Sequence, residues 1–229
     1  MTKFVDYKDD GAYFFMINQQ LQVEFLKDLG TDDYQTLREL IIEIWQYNEW
    51  VTQSDVIPMA DLFLSLALTG SSKIFVCRHQ GKIVGVISAL IIKNFKMQLF
   101  LKSKELSSIS LLVNGGRPVT TFDYYLETEK LNNELLRKSG KNFQASLELF
   151  VLKEEFRGCG LGNLLYNAFL SYLAKHGITH FYLLTDSSSN YKFYEHKGLK
   201  RIEEQRFYWG HTDGTGFEDY YVYEGFLKS

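Results

Sequence analysis

Residues 157–162 read Arg-Gly-Cys-Gly-Leu-Gly, and no other stretch restricts the chain's architecture as much. The alternate glycines fall between the apolar run ASLELFVL (145–152) and a segment in which Leu161, Leu164, Leu165, Ala168, Phe169 and Tyr172 recur at helical spacing. The first run has strand composition and the second has the period of a buried helix face. Glycine weakens both kinds of element, so three of them at the junction have a conformational or a steric purpose. A strand that hands over directly to a helix commits this half of the chain to an α/β layer.

The junction also implies a chemistry. The first turn of a helix presents N–H groups without intrahelical partners, together with the positive end of the dipole. That arrangement suits an anion, phosphate above all. Missing side chains let ligand oxygens reach the main chain and let φ turn positive. Two phosphate loops are excluded by spacing: no Gly-Lys-Ser/Thr follows, and Gly158, Gly160 and Gly162 form GxGxG where a dinucleotide loop needs GxGxxG.

Elsewhere LQVEFLK (21–27) alternates as a strand, and Thr31 and Asp32 are the expected caps of a helix through DYQTLRELIIEIWQYN. Leu37, Leu40, Ile41 and Ile44 form its apolar stripe. PMADLFLSLALTG predicts a second helix, with Pro58 in its first turn and Gly70 after its end. KIFVCRH and KIVGVISALII flank Gln80-Gly81 and predict a hairpin. From about 93 to 142 the strand pattern breaks, and MQLFLKSKELSSISLL and TFDYYLETEKLNNELLRK predict two helices joined at NGGRP. THFYLLT reads as a buried strand and SSSNYKFYEHKG as a short helix with serine caps that ends at Gly198. LKRIEEQRFYW and EDYYVYEGFL read as a closing antiparallel pair. With 2 Pro and no repeat there is no evident linker, so a single domain over 1–229 with an insert at about 93–142 is expected.

Composition excludes several classes. A net charge of -3 gives no bulk attraction to nucleic acid or to an anionic membrane. The longest apolar run, IVGVISALII (83–92), is too short for a membrane helix. MTKFVDYKDD lacks the apolar core of a signal peptide. Two cysteines, Cys77 and Cys159, without pairing spacing suit a reducing cytoplasm.

The glycine stretch fits the pattern Arg/Gln-x-x-Gly-x-Gly/Ala, through Arg157, Gly158, Cys159, Gly160, Leu161 and Gly162. Downstream, TDSSSNYKFYEHKGLKR carries Asn-x-x-x-Tyr-x-x-x-Gly-Phe/Leu, through Asn190, Tyr194, Gly198 and Leu199. On these two motifs the chain resembles the GCN5-related N-acetyltransferase (GNAT) family, over most of its length except the first dozen or so residues and the insert. The resemblance implies a mixed, mostly antiparallel central sheet flanked by helices, with a helical insertion before the coenzyme A-binding strand. It implies acetyl-CoA as cosubstrate and direct transfer of the acetyl group to a primary amine of a small molecule or peptide. Nucleic acid and membrane partners are not expected, and a homodimer stays open.

The same resemblance assigns roles to residues. The strand 147–152 would splay from its neighbour, so that backbone groups of Phe150, Val151 and Leu152 bond the pantetheine arm and polarise the thioester. Arg157 to Gly162 would hold the pyrophosphate, with Arg157 favoured at a phosphate over a place on the surface near Glu154 and Glu155. Tyr194 would protonate the leaving thiolate, a task suited to a phenol of pKa about 10. Asn190, expected on the same helix face, either bonds the pantetheine or caps the helix. Glu148 either deprotonates the amine or is an exposed polar position of an alternating strand. A helix N-terminus lowers a thiol's pKa, yet direct transfer makes Cys159 incidental. His176 and His180 are four apart, but Gly177 ends the helix between them, so no metal is expected. Acceptor specificity would reside in the insert and in RFYWGHTDGTGFEDYYVY, with helices 97–112 and 121–138 as a lid or as packing only. Tyr124, Tyr125, Tyr208 and Trp209 are candidate pocket walls. Two other classes stay open: an acyl-CoA-binding regulatory protein without turnover, and a nucleotide-binding enzyme.

Overall fold

The computed structural model describes residues 15–18, 21–26, 29–114, 120–209 and 216–227. The centre of the NGGRP join and of the tail loop lie outside them, as does the side chain of Tyr124. Along the chain run β1 (Phe15–Asn18), β2 (Leu21–Leu26), α1 (Thr31–Ile44), α2 (Tyr47–Trp50), α3 (Val56–Thr69), β3 (Lys73–His79) and β4 (Lys82–Ile91). The inserted helices α4 (Leu99–Asn114) and α5 (Thr120–Lys138) follow. Then come β5 (Ala145–Leu152), α6 (Leu161–Lys175), β6 (His180–Asp186), α7 (Lys192–His196), β7 (Lys200–Trp209) and β8 (Gly216–Phe226).

Among the described residues the strands form one eight-stranded sheet, in the order β1-β2-β3-β4-β5-β6-β8-β7. Every neighbouring pair is antiparallel except β5 with β6. The mixed, mostly antiparallel sheet expected from the sequence is therefore present, with β1 added at its edge. The β3–β4 hairpin closes at Gln80 (φ 50°) and Gly81 (φ 81°), the paired positive φ of a turn whose twist matches the strands.

The two faces of the sheet are covered differently. α6 buries Leu165, Ala168 and Phe169 against Phe75, Ile87, Phe181 and Tyr223 on one face. α1 and α3 bury Leu37, Ile41 and Leu64 against Val86, Leu149 and Val151 on the other. On that second face α5 sets Leu131 and Leu135 over Tyr220 and Val222 of β8. Lys138 Nζ donates to Gln205 Oε1 of β7 at 2.9 Å, and Lys141 Nζ reaches Glu224 Oε2 of β8 at 2.5 Å. Buried apolar contacts and polar anchors at its end make α5 a wall fixed to the sheet.

Two expected caps differ. Gly30, extended at φ -69°, takes the cap position of α1, and Thr31 and Asp32 lie inside the first turn. At α7 the cap is Tyr191, without a side-chain bond. The preceding serines are organised by Asp186, whose Oδ1 accepts from the N–H groups of Ser188 (2.9 Å) and Ser189 (3.1 Å). An aspartate two residues back offers a stronger acceptor than a hydroxyl, so the turn forms before the helix begins.

Candidate active site

β5 stays paired with β4 to its end, at Leu152 opposite Gly85. Its parallel pairing with β6 stops at Leu147 opposite Leu183, while β6 continues along β8 to Asp186 opposite Tyr220. Residues 148–152 thus have a sheet neighbour on one side and a wedge-shaped gap on the other, the splay expected around Phe150, Val151 and Leu152. A register shift accompanies it: Ser88 faces Leu149 and Ala89 faces Leu147, which leaves Glu148 as the extra residue of a bulge. Leu147 packs toward α6 and Leu149 toward α1 and α3. Phe150 and Leu152 return to the α6 side.

The gap leads to the glycine stretch. A short 3-10 turn, Glu154–Phe156, carries the chain out of β5. Gly158 (φ 75°) and Gly160 (φ 88°) then turn left-handed, a conformation that costs other L-residues roughly 1–2 kcal/mol. Gly160 is the N-cap of the 15-residue α6 and has no side-chain cap. The first backbone bond it receives comes from Leu164 at 3.1 Å, so Leu161, Gly162 and Asn163 lack intrahelical acceptors. A Cβ added at Gly158 or Gly160 would meet no heavy atom within 4 Å. One added at Gly162 would make ordinary contact, at 3.8–3.9 Å, with Leu152, Phe150 and Phe193. The loop is open to an anion from outside, and the third glycine keeps its floor low beside the gap.

Arg157 is exposed, and its Nε donates to Leu152 O at 3.4 Å, across the end of β5. Among the described residues no carboxylate pairs with it, Glu154 and Glu155 included. Cys159 is exposed, and its Sγ lies 3.0 Å from Phe156 O.

Tyr194 is 8 % exposed and lies beside Phe193, Tyr223 and Leu199 in the α6-side core. Burial, reinforced by the nearby Tyr166 and Asp186, holds its phenol above the usual range and therefore neutral. Asn190 departs from expectation. It precedes α7 instead of lying on it, its side chain is exposed, and its carbonyl accepts from Phe193 N at 3.0 Å. The residue that does reach the gap from α7 is Phe193, edge-on to Phe150 at 5.4 Å and to Tyr166 at 5.5 Å. Its motif position carried no signal beyond aromatic packing.

Glu148 points to the opposite face, toward α5, and is closely enclosed. Its Oε1 accepts from Ser146 Oγ. Burial raises its pKa, Glu129 of α5 raises it further, and the Ser146 bond opposes both. Glu129 is raised by burial as well, with Asn132 opposing. Glu129 itself is exposed to solvent. Among the described residues, Ser88 Oγ on β4 and Asn132 Oδ1 on α5 are buried without a hydrogen-bond partner. Of the candidate pocket walls, Tyr125 packs beside the α1–α3 core with its phenol close to Glu129 and Glu105. Trp209 joins the cluster under α5, and Tyr208 points to solvent. The histidines are apart: His176 Nδ1 meets Tyr172 O, and His180 on β6 meets Glu224.

The model of the Acetyltransferase (GNAT) family matches residues 34–199. No curated protein matches the chain. Among solved structures it is similar to PH1933 from Pyrococcus horikoshii OT3, with TM-score 0.57 and 16% identity, covering 92% of this chain and 100% of that one. It is similar to an acetyltransferase from Streptococcus agalactiae, with TM-score 0.51 and 16% identity over 92% of this chain and 100% of that one. It is also similar to the ribosomal-protein-S18-alanine N-acetyltransferase from Escherichia coli, with TM-score 0.50 and 15% identity over 89% and 92% of the two chains. At such identities the structural likeness shows the fold alone. Among the described residues no helix is long and apolar enough to cross a membrane.

Proposed function

We infer the reaction from one premise: this chain belongs to the acetyltransferase (GNAT) family, whose members take an acetyl group from acetyl-CoA. We assign it direct transfer of that group to a primary amine of a small molecule or peptide. A single observation carries the reading: an uncapped helix N-terminus, bared by glycine, opens beside the gap along β5.

The residues present fit the cosubstrate. N–H groups at the start of α6 would take the diphosphate, Arg157 would add a cation, and the backbone of Phe150 to Leu152 would hold the pantetheine arm in the gap. Bound there, acetyl-CoA supplies an acyl carbon joined to a thiol leaving group. Glu148 removes a proton from the acceptor ammonium, whose nitrogen then attacks that carbon. The N–C bond forms as the C–S bond breaks, the departing sulfur takes a proton from Tyr194, and the second proton lost by the nitrogen passes through solvent to restore the Tyr194 phenol. A raised phenol pKa keeps Tyr194 protonated until the thiolate appears. Glu148, held between a hydroxyl donor and a second carboxylate, is a better base at neutral pH than an exposed glutamate.

Thiol release over a panel of amines tests the reading. Turnover with at least one primary amine, and none with its tertiary analogue, is expected. Tight coenzyme A binding with no release for any amine would instead identify a protein that holds acyl-CoA without turnover.

A further inference from the structure

We propose that the inserted helix α4 is a dimerisation element, whose outward face packs antiparallel against the same face of a second copy across a two-fold axis at Leu106. The inner side of α4 is already used. Leu101 is buried in the core that α1 and α3 share, and Gln98 N, just ahead of α4, donates to Thr69 O at the end of α3 at 3.3 Å. The outer side has no such cover. Among the described residues of α4, those that are exposed are leucine, phenylalanine, valine and serine only. A solvated helix face ordinarily carries charge, and this one carries none over about four turns.

The area left open is that of an interface. Leu99 is 80 % exposed, Leu111 63 %, Leu106 58 % and Val113 56 %; Phe95 and Met97, just ahead of the helix, and Phe100 on it are exposed as well. At roughly 200 Å² for a fully exposed large side chain, these residues leave on the order of 800 Å² of apolar surface per copy. The largest apolar patch of an ordinary monomer is ~300–600 Å², whereas each partner in a stable complex contributes about 800 Å².

Spacing, symmetry and charge identify the occupant. Leu99, Leu106 and Val113 recur every seven residues, and Ser103 and Ser110 recur beside them with the same period. A seven-residue repeat keeps one seam turned toward another helix, and small residues leave holes for that helix's larger side chains. The occupant is therefore a helix. The seam is centred on Leu106, so a two-fold axis there sets Leu106 against its own copy and Leu99 against Val113, a self-complementary match. Charge fixes the direction. The charged residues of α4, Lys102, Lys104 and Glu105, all precede Leu106, and residues 106–113 have none. Antiparallel packing lays the charged half of one copy along the uncharged half of the other and sets the two helix dipoles head to tail. Parallel packing would bring Lys102 and Lys104 beside their own copies, at a cost in repulsion.

The test is the mass of the full chain in solution, by sedimentation velocity from about 1 to about 100 µM, with far-UV circular dichroism as the check on folding. The intact chain is expected to sediment as a dimer. Leu106→Glu and Leu106→Lys each set two like charges face to face on the axis, and each is expected to weaken self-association about a hundredfold or more with its circular dichroism unchanged. An equimolar mixture of the two variants is expected to restore the dimer, through a Glu–Lys pair across the axis. An intact chain that stays monomeric at the highest concentration overturns the proposal, however the variants fold. So does a dimer that persists in both variants, which would place the interface elsewhere, or a mixture of two folded variants that remains monomeric.

Discussion

Alanine at Gly160 isolates what the glycine loop does for a ligand from what it does for the fold. Gly160 has φ +88°, and a Cβ there meets no heavy atom within 4 Å. The substitution therefore costs the folded chain backbone strain, about 1–2 kcal/mol, and no collision. Gly177, just beyond the other end of α6, is a matched control with φ +68° and the same open surroundings. Both variants should lose roughly 2–8 °C in Tm, from a few degrees per kcal/mol at this chain length. At Gly160 alone the new methyl stands where diphosphate oxygens would approach the first N–H groups of α6. Losing one charge-assisted hydrogen bond of about 1.5–3 kcal/mol weakens coenzyme A about ten- to a hundredfold. Thermal unfolding over a series of coenzyme A concentrations reads both effects, because ligand adds RT ln(1 + [L]/Kd) to stability. Wild type and Gly177→Ala should gain stability in parallel, with Gly160→Ala displaced to higher coenzyme A. Identical responses from the two variants would show that this helix end does not hold the diphosphate.

Tyr194→Phe should leave the coenzyme A Kd unchanged and lower kcat by about 10²-fold or more, the usual share of a proton donor; a parallel loss of binding would mean the ring serves only the core. Glu148 has a folded pKa above its unfolded value, so its contribution to stability is fully present below about pH 4.5 and is lost as pH rises through the higher folded value. Glu148→Gln should thus raise Tm at neutral pH, flatten that limb of the Tm–pH curve and abolish turnover, and a curve that superimposes on wild type refutes the burial. Gly225→Ala drives a methyl into the fully buried ring of Phe181, for a cost of about 1–3 kcal/mol. Its urea midpoint should fall with an unchanged m-value; an unshifted midpoint would mean β8 can move aside.

Local patterns carried the architecture, because the physics that sets it is local. Gln80-Gly81 marked a hairpin and Gly160 a helix start, each through a backbone conformation that few residues adopt. Both inserted helices were legible from spacing. What they cover was not, since Leu131 and Leu135 fit any apolar surface until β8 supplies Tyr220 and Val222. Asn190 shows the converse: four-residue spacing from Tyr194 implies a shared face only if both residues are helical, and α7 begins two residues after Asn190.

The bulge at Glu148 joins these points. Strict alternation along ASLELFVL puts Leu147, Leu149 and Val151 on one face, and the sequence alone offers no reason to break it. Pairing with β4 does break it, because Ser88 faces Leu149 while Ala89 faces Leu147. One extra residue then sends Glu148 and Leu149 together to the α5 side and returns Phe150 to the α6 side, against Phe193. Without the bulge, Leu149 would stay with Leu147 on the α6 face and Phe150 would point to the α5 side. The same irregularity bends β5 where its pairing with β6 ends, so the gap and the division of residues 147–152 between the α6 side and the α5 side have a common origin. Deleting Glu148 should therefore do more than remove a base: Leu147 and Leu149 would become neighbours in a regular ladder, residues 149–152 would keep their present faces, and the bend that opens the gap would be lost, so coenzyme A binding should fall along with turnover, whereas Glu148→Gln spares that binding. A deletion variant that folds and still binds coenzyme A as wild type does would break the link between bulge and gap.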